Sequence, residues 1–162
     1  QDLWVAPARG GGKPVPFLRT PFHEHDGRLS PDGHWIAYRS DESGRNELYV
    51  QPFPAGGARI PVSTDGAAEF EMSGDAKSVW TRDGKELIFL GGDGVTVMSA
   101  AVRIGATFEA APPKPLFKLP AGTIDAVASP DGSRYLASVT EAGTLRSMAM
   151  VVINWTAEMG KK

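Results

Sequence analysis

The chain has 162 residues, of which 41% are hydrophobic and 22% charged, with a formal net charge of −2, the size and make-up of one globular domain. A near-neutral charge without a basic run excludes an electrostatic footprint for nucleic acid, and no apolar stretch approaches the roughly 18 residues that span a bilayer. The absence of cysteine excludes disulfides and thiolate metal sites.

Taken in chain order, Gln1-Asp2-Leu3-Trp4 shows no charged leader ahead of an apolar core, so no signal peptide is read. A cysteine-free chain suits the cytoplasm and the periplasm alike. The start reads as mid-domain, as in the C-terminal piece of a longer protein. Leu3–Pro7 and Pro14–Arg19 are expected to form two short strands. Phe22-His23-Glu24-His25-Asp26-Gly27 is expected to be the next strand, followed by the turn Ser30-Pro31-Asp32-Gly33 and the apolar run Trp35-Ile36-Ala37-Tyr38. Glu47–Phe53 and Arg59–Ser63 follow, the latter an edge strand because Pro61 lacks an N–H to donate.

The same pattern then returns. Thr81-Arg82-Asp83-Gly84 precedes Leu87-Ile88-Phe89-Leu90, and Ser129-Pro130-Asp131-Gly132 precedes Tyr135-Leu136-Ala137. The aspartates stand 51 and 48 residues apart (from 32 to 83 and from 83 to 131). Proline presets φ at the first corner, aspartate bonds its own backbone, and glycine supplies the positive φ that ends the turn. Val95–Val102 and Pro115–Lys118 complete the second repeat, and Ile124–Thr156 is expected to hold three strands. No segment sustains a 3.6-residue period. With 19 glycines and 13 prolines spread along the chain, the expected fold is all-β. A period near 50 residues is that of a four-stranded propeller blade.

The stretch LSPDGHWIAYRSDESGRNELYVQPFP, residues 29–54, resembles the WD-like repeat of TolB-like six-bladed β-propellers, and the likeness extends over nearly the whole chain. Such repeats stand behind bacterial serine/threonine kinase domains and ahead of prolyl-peptidase-type hydrolases, and the ending from Val151 to Glu158 resembles that of the kinase-linked propellers. Arg82 in place of proline departs from the pattern. The resemblance implies a partial blade over residues 1–19, blades over 22–65 and 66–119, and a partial blade over 122–156. These add up to about three four-stranded blades and one strand more. Half a ring leaves blade faces and strand edges open to water, and a homodimer of two such chains makes six blades.

Two classes of function follow. One is an interaction module that binds a protein, a peptide or a small molecule. The other is a metal-dependent hydrolase of phosphotriesterase or lactonase type, acting at the channel of the ring on fold-level analogy alone. For the second, His23 and His25 lie two apart, which in a regular strand turns them to one face, with Glu24 and Asp26 on the other. Where the family pattern carries an Asn-Glu-like pair, two neutral imidazoles here are candidate ligands of one ion, or a base. His23, His25 and Glu24 are the candidate catalytic residues. His23, His25, Asp26, Glu69, Glu71 and Asp125 are candidate ligands of calcium, zinc or manganese. No nucleophile elbow, phosphate-binding loop or dinucleotide motif is present.

Overall fold

The structure, a computed structural model, describes residues 1–68, 80–128, 134–140 and 147–153. Two of the three turn motifs fall among them, and both fold as their chemistry demands. Gly33 N donates to Ser30 O at 2.9 Å, His34 N donates to Asp32 Oδ1 at 3.1 Å, and Gly33 takes φ +73°. The second turn repeats this with Thr81 in place of serine: Gly84 N donates to Thr81 O at 2.9 Å, Lys85 N to Asp83 Oδ1 at 3.1 Å, and Gly84 takes φ +69°. Arg82 therefore substitutes for proline without changing the turn. The bonds hold both aspartates below the usual carboxylate range, Asp32 chiefly through the Ser30 hydroxyl and Asp83 chiefly through the Lys85 amide. The third turn, around Asp131, lies outside the described residues.

The described residues hold thirteen strands: β1 (Leu3–Val5), β2 (Val15–Leu18), β3 (Glu24–Leu29), β4 (Trp35–Ser40), β5 (Glu47–Pro52), β6 (Ile60–Pro61), β7 (Glu86–Leu90), β8 (Thr96–Ile104), β9 (Phe108–Ala110), β10 (Lys114–Lys118), β11 (Thr123–Ala128), β12 (Arg134–Thr140) and β13 (Ser147–Ile153). They form four antiparallel sheets in chain order: β1-β2; β3-β4-β5-β6; β10-β8-β7 with β9 on β8; and β11-β12-β13. Among the described residues no helix is long and apolar enough to cross a membrane. The third sheet differs from the expected four-strand meander. Residues 69–79, where its innermost strand was expected, lie outside the described residues. Its fourth strand is β9, which pairs with the far end of the nine-residue β8, Val102 opposite Ala110 and Ile104 opposite Phe108. Beyond its partner β10, β8 would present bare backbone groups, and the turn at Gly105 folds β9 back onto them.

Each sheet packs on the next, and strand alternation sorts the residues. In β4, Ile36 and Tyr38 face the first sheet with Leu18 and Tyr49, while Trp35 and Ala37 face the third sheet with Leu87, Phe89 and Phe108. In β7, Leu87 and Phe89 face the second sheet, and Ile88 and Leu90 face Ala126 and Ala137 of the fourth. A sheet covered on both sides needs apolar residues at successive positions, which is why the run after each turn motif reads as continuous rather than alternating. This is the stacking of propeller blades, and the chain is an all-β partial propeller.

The start of the link from the second sheet to the third, residues 63–68, is tied to both sheets. The Glu47 carboxylate, 3% exposed, accepts from Gly66 N at 2.9 Å, from Arg45 Nε at 2.8 Å, and from the Ser63 hydroxyl. Ala67 N donates to Asn46 O, just ahead of β5 in the second sheet, at 2.8 Å, and Ala68 N to Leu90 O in the third at 3.0 Å. Gly66 and Gly92 cross backbone to backbone, and a Cβ on Gly92 would stand 2.4 Å from Asp65 O. Gly92→Ala is therefore expected to destabilise the fold by about 2 kcal/mol, the cost of overpacking against main chain. Urea unfolding checks this, and a change within experimental error would mean that the two turns are free to part.

Candidate functional site

The segment singled out in the sequence folds as an interrupted strand. In β3, His25 pairs with Arg39 and Arg28 with Ala37, so Asp26 and Gly27 together stand opposite Tyr38. This is a β-bulge, and Asp26 adopts φ 54°, the only positive value for a non-glycine among the described residues. Such a conformation costs on the order of 1 kcal/mol and persists where surrounding contacts hold it. Trp80, bridged to Leu87 of β7, donates its indole N–H to Arg28 O at 3.0 Å.

The bulge overturns the regular alternation expected for residues 23–26. The Asp26 carboxylate does not turn away from His25: Oδ2 lies 3.5 Å from His25 Nδ1 and accepts from Arg39 Nη1 at 2.8 Å. On its other side, His25 Nε2 lies 3.5 Å from Asn46 Oδ1. Three groups, Asp26 from β3, Arg39 from β4 and Asn46 from the turn before β5, thus meet around a largely buried imidazole. His23 stands apart, exposed and ahead of β3. Its amide donates to Asp41 Oδ1 at 2.8 Å, and its Nδ1 is 3.0 Å from the Gln1 amine.

Glu24 points elsewhere again. It is 1% exposed, and its Oε1 accepts from the Thr20 hydroxyl. Its Oε2 is buried with no hydrogen-bond partner. Nearby in the same sheet, the Tyr38 hydroxyl donates to Gln51 Oε1 at 3.3 Å, and burial, with a smaller contribution from the Glu24 charge, pushes the phenol up to about 12. The inner part of this sheet is thus polar below its surface, and a buried carboxylate oxygen without a donor calls for one: a ligand proton donor, a water or a cation.

Of the remaining candidates, Asp125 lies in β11 opposite Ser138, and Glu69 and Glu71 lie outside the described residues. Among the described residues no three of His, Asp and Glu are grouped to hold a metal ion. Arg39 and Asn46 were missed by the sequence reading. Arg39 had a signal, since it is the first charge after the apolar run Trp35–Tyr38 and falls on a buried strand. Asn46 had none, because its meeting with His25 depends on how the sheet pairs.

No protein-family model matches the chain, and no curated protein does. Among solved structures it is similar to TolB from Acinetobacter baumannii, at 16% identity and a TM-score of 0.42 over 89% of this chain. The chain spans 44% of the length of that structure.

Proposed function

We propose that the chain is a propeller-type interaction module that works as a homodimer, two copies making one six-bladed ring, with ligand contact at the inner-strand cluster of His25, Asp26, Arg39 and Asn46. One observation carries the dimer. Position five after each turn aspartate faces the following sheet: Ala37 is fully buried there, and Ile88 packs on the fourth sheet. The third equivalent, Leu136, is 41% exposed. At the other end of the stack, Trp4 on the first sheet is 55% exposed. An apolar residue at a position that is covered in both interior sheets favours a covering partner, and a second copy of the same stack, with Trp4 exposed at its far end, supplies one.

Light scattering is expected to give twice the 17.2 kDa of one chain. Trp4→Asp together with Leu136→Asp is expected to halve that mass while leaving the far-ultraviolet spectrum unchanged. A well-folded chain that stays single at high concentration overturns the dimer.

The hydrolase reading draws on Glu24 Oε2, whose lack of a donor also suits a cation. Calcium, zinc or manganese raising the melting temperature, together with phosphotriester turnover that is lost on chelation and in His25→Ala, would replace the binding module by the enzyme.

A further inference from the structure

The strands β2, β6 and β10 each close one side of a sheet, and they share a pattern of one residue, then proline, then an apolar residue: Val15-Pro16-Phe17, Ile60-Pro61-Val62 and Lys114-Pro115-Leu116. In the second and third sheets the proline also stands in one register. The sixth residue after the turn aspartate is Tyr38 in β4 and Phe89 in β7. Tyr38 pairs with Tyr49 of β5, which pairs with Pro61 of β6. Phe89 pairs with Met98 of β8, which pairs with Pro115 of β10. In the fourth sheet the sixth residue is Ala137 of β12, and it pairs with Met150 of β13. There the series stops, because among the described residues no strand lies beyond β13.

β13 reads Ser-Met-Ala-Met-Val-Val-Ile over Ser147–Ile153, without the proline or charge that keeps an open edge from pairing. Which of its backbone groups face outward follows from β5. Leu48 turns its backbone away from β4: its N–H donates to Ser63 Oγ at 2.8 Å, and its carbonyl accepts from Val62 N at 2.8 Å. Leu48 pairs with Arg39, seven residues after its turn aspartate, and the equivalent pair in the fourth sheet is Ala149 with Ser138. Ala149, and Val151 two residues on, therefore present N–H and C=O on the side away from β12. A row of such groups on an uncharged strand is a template for one strand more.

We propose that β13 binds an extended segment of a partner protein as a fourth, antiparallel strand, with a proline opposite Met150 and an apolar residue directly after it. The two equivalent edges define that occupant, since β6 and β10 both run antiparallel to their neighbours with proline at this register. Proline costs such a strand nothing on its outer side, where its missing N–H has no partner to lose. The site is the edge of the fourth sheet, whereas the function proposed above uses the Leu136 face and the cluster on the second sheet. The two readings therefore stand or fall separately.

The probe is acetyl-Arg-Ile-Pro-Val-Ser-amide, the order of residues 59–63, titrated into the labelled full chain. Its control carries N-methylvaline, which keeps every side chain and removes the N–H that would reach Ala149 O, as Val62 N reaches Leu48 O. In the free chain the Ala149 and Val151 amides are expected to exchange readily with solvent. The probe is expected to shift and protect them, saturating with a dissociation constant of about 1 mM. The N-methylated peptide is expected to bind about fivefold more weakly, the loss of one net hydrogen bond. Val151→Pro is expected to abolish probe binding while leaving the far-ultraviolet spectrum unchanged, because the N–H it removes faces away from β12. Amides already protected in the free chain, equal binding of the two peptides, or shifts centred away from β13 overturn the proposal. Light scattering on the same samples reports the dimer separately.

Discussion

Replacing Trp35 by alanine is expected to destabilise the fold by about 4 kcal/mol, the range for deleting a large buried aromatic from a packed core. Trp35 leaves the first turn motif on β4 and faces the third sheet, where its ring lies 5.4 Å from that of Phe108, with Trp80 meeting the same ring edge-on at 6.0 Å. Its neighbours are held by two sheets at once, so they have little freedom to collapse into the space left behind. The equivalent positions in the other repeats are Glu86 and Arg134, so no other repeat supplies a second tryptophan there. Urea unfolding followed by circular dichroism measures the loss, with Val95→Ala at an exposed turn as a control expected to stay within about 0.5 kcal/mol. A loss under about 1 kcal/mol at Trp35 would sink the packing of the second sheet on the third.

Glu47→Ala is expected to cost about 3 kcal/mol. The carboxylate takes three donors, and two of them, the Ser63 hydroxyl and the Gly66 amide, have little water to turn to once it is gone. The third, Arg45, is more than half exposed and can be resolvated, so its share is small. Because Gly66 belongs to the link into the third sheet, the damage should spread from one sheet to the next. Glu47→Gln keeps one acceptor and is expected to lose about half as much. A double-mutant cycle with Ser63→Ala separates the parts: the two changes together should cost clearly less than the sum of each alone, since they remove one bond in common. Strict additivity would show that Glu47 does not hold Ser63.

The inner cluster shows where reading along the chain stops. His25 and Asp26 were picked out because two histidines and two acids in one strand are unusual, and both do sit at a polar site. Their partners were assigned by a strand period of two, and the bulge breaks that period. Asp26 turns back to Arg39, His23 drops out to the surface, and Glu24 goes to Thr20. A bulge inserts one residue into one strand relative to its neighbour, so it exists only as a relation between β3 and β4 and leaves no mark in either taken singly.

What the amino-acid order determined by itself was local. The Ser/Thr-x-Asp-Gly turns, the apolar runs after them, the edge position of Pro61 and the near-50-residue period all follow from allowed φ values and hydrogen bonds among neighbours within a few residues. What only the tertiary structure decided was which of those pieces touch: the Asp26–Arg39 pair, the fold-back of β9 onto β8, the clamp of Glu47 on Ser63 and Gly66, and the crossing of Gly66 and Gly92. Apart from the β9 fold-back, which pairs nearby residues such as Val102 and Ala110, each joins residues 13 to 26 apart. Such contacts form because stacked sheets must bury both faces and satisfy their buried polar groups together, a condition on the whole assembly rather than on any one stretch of chain.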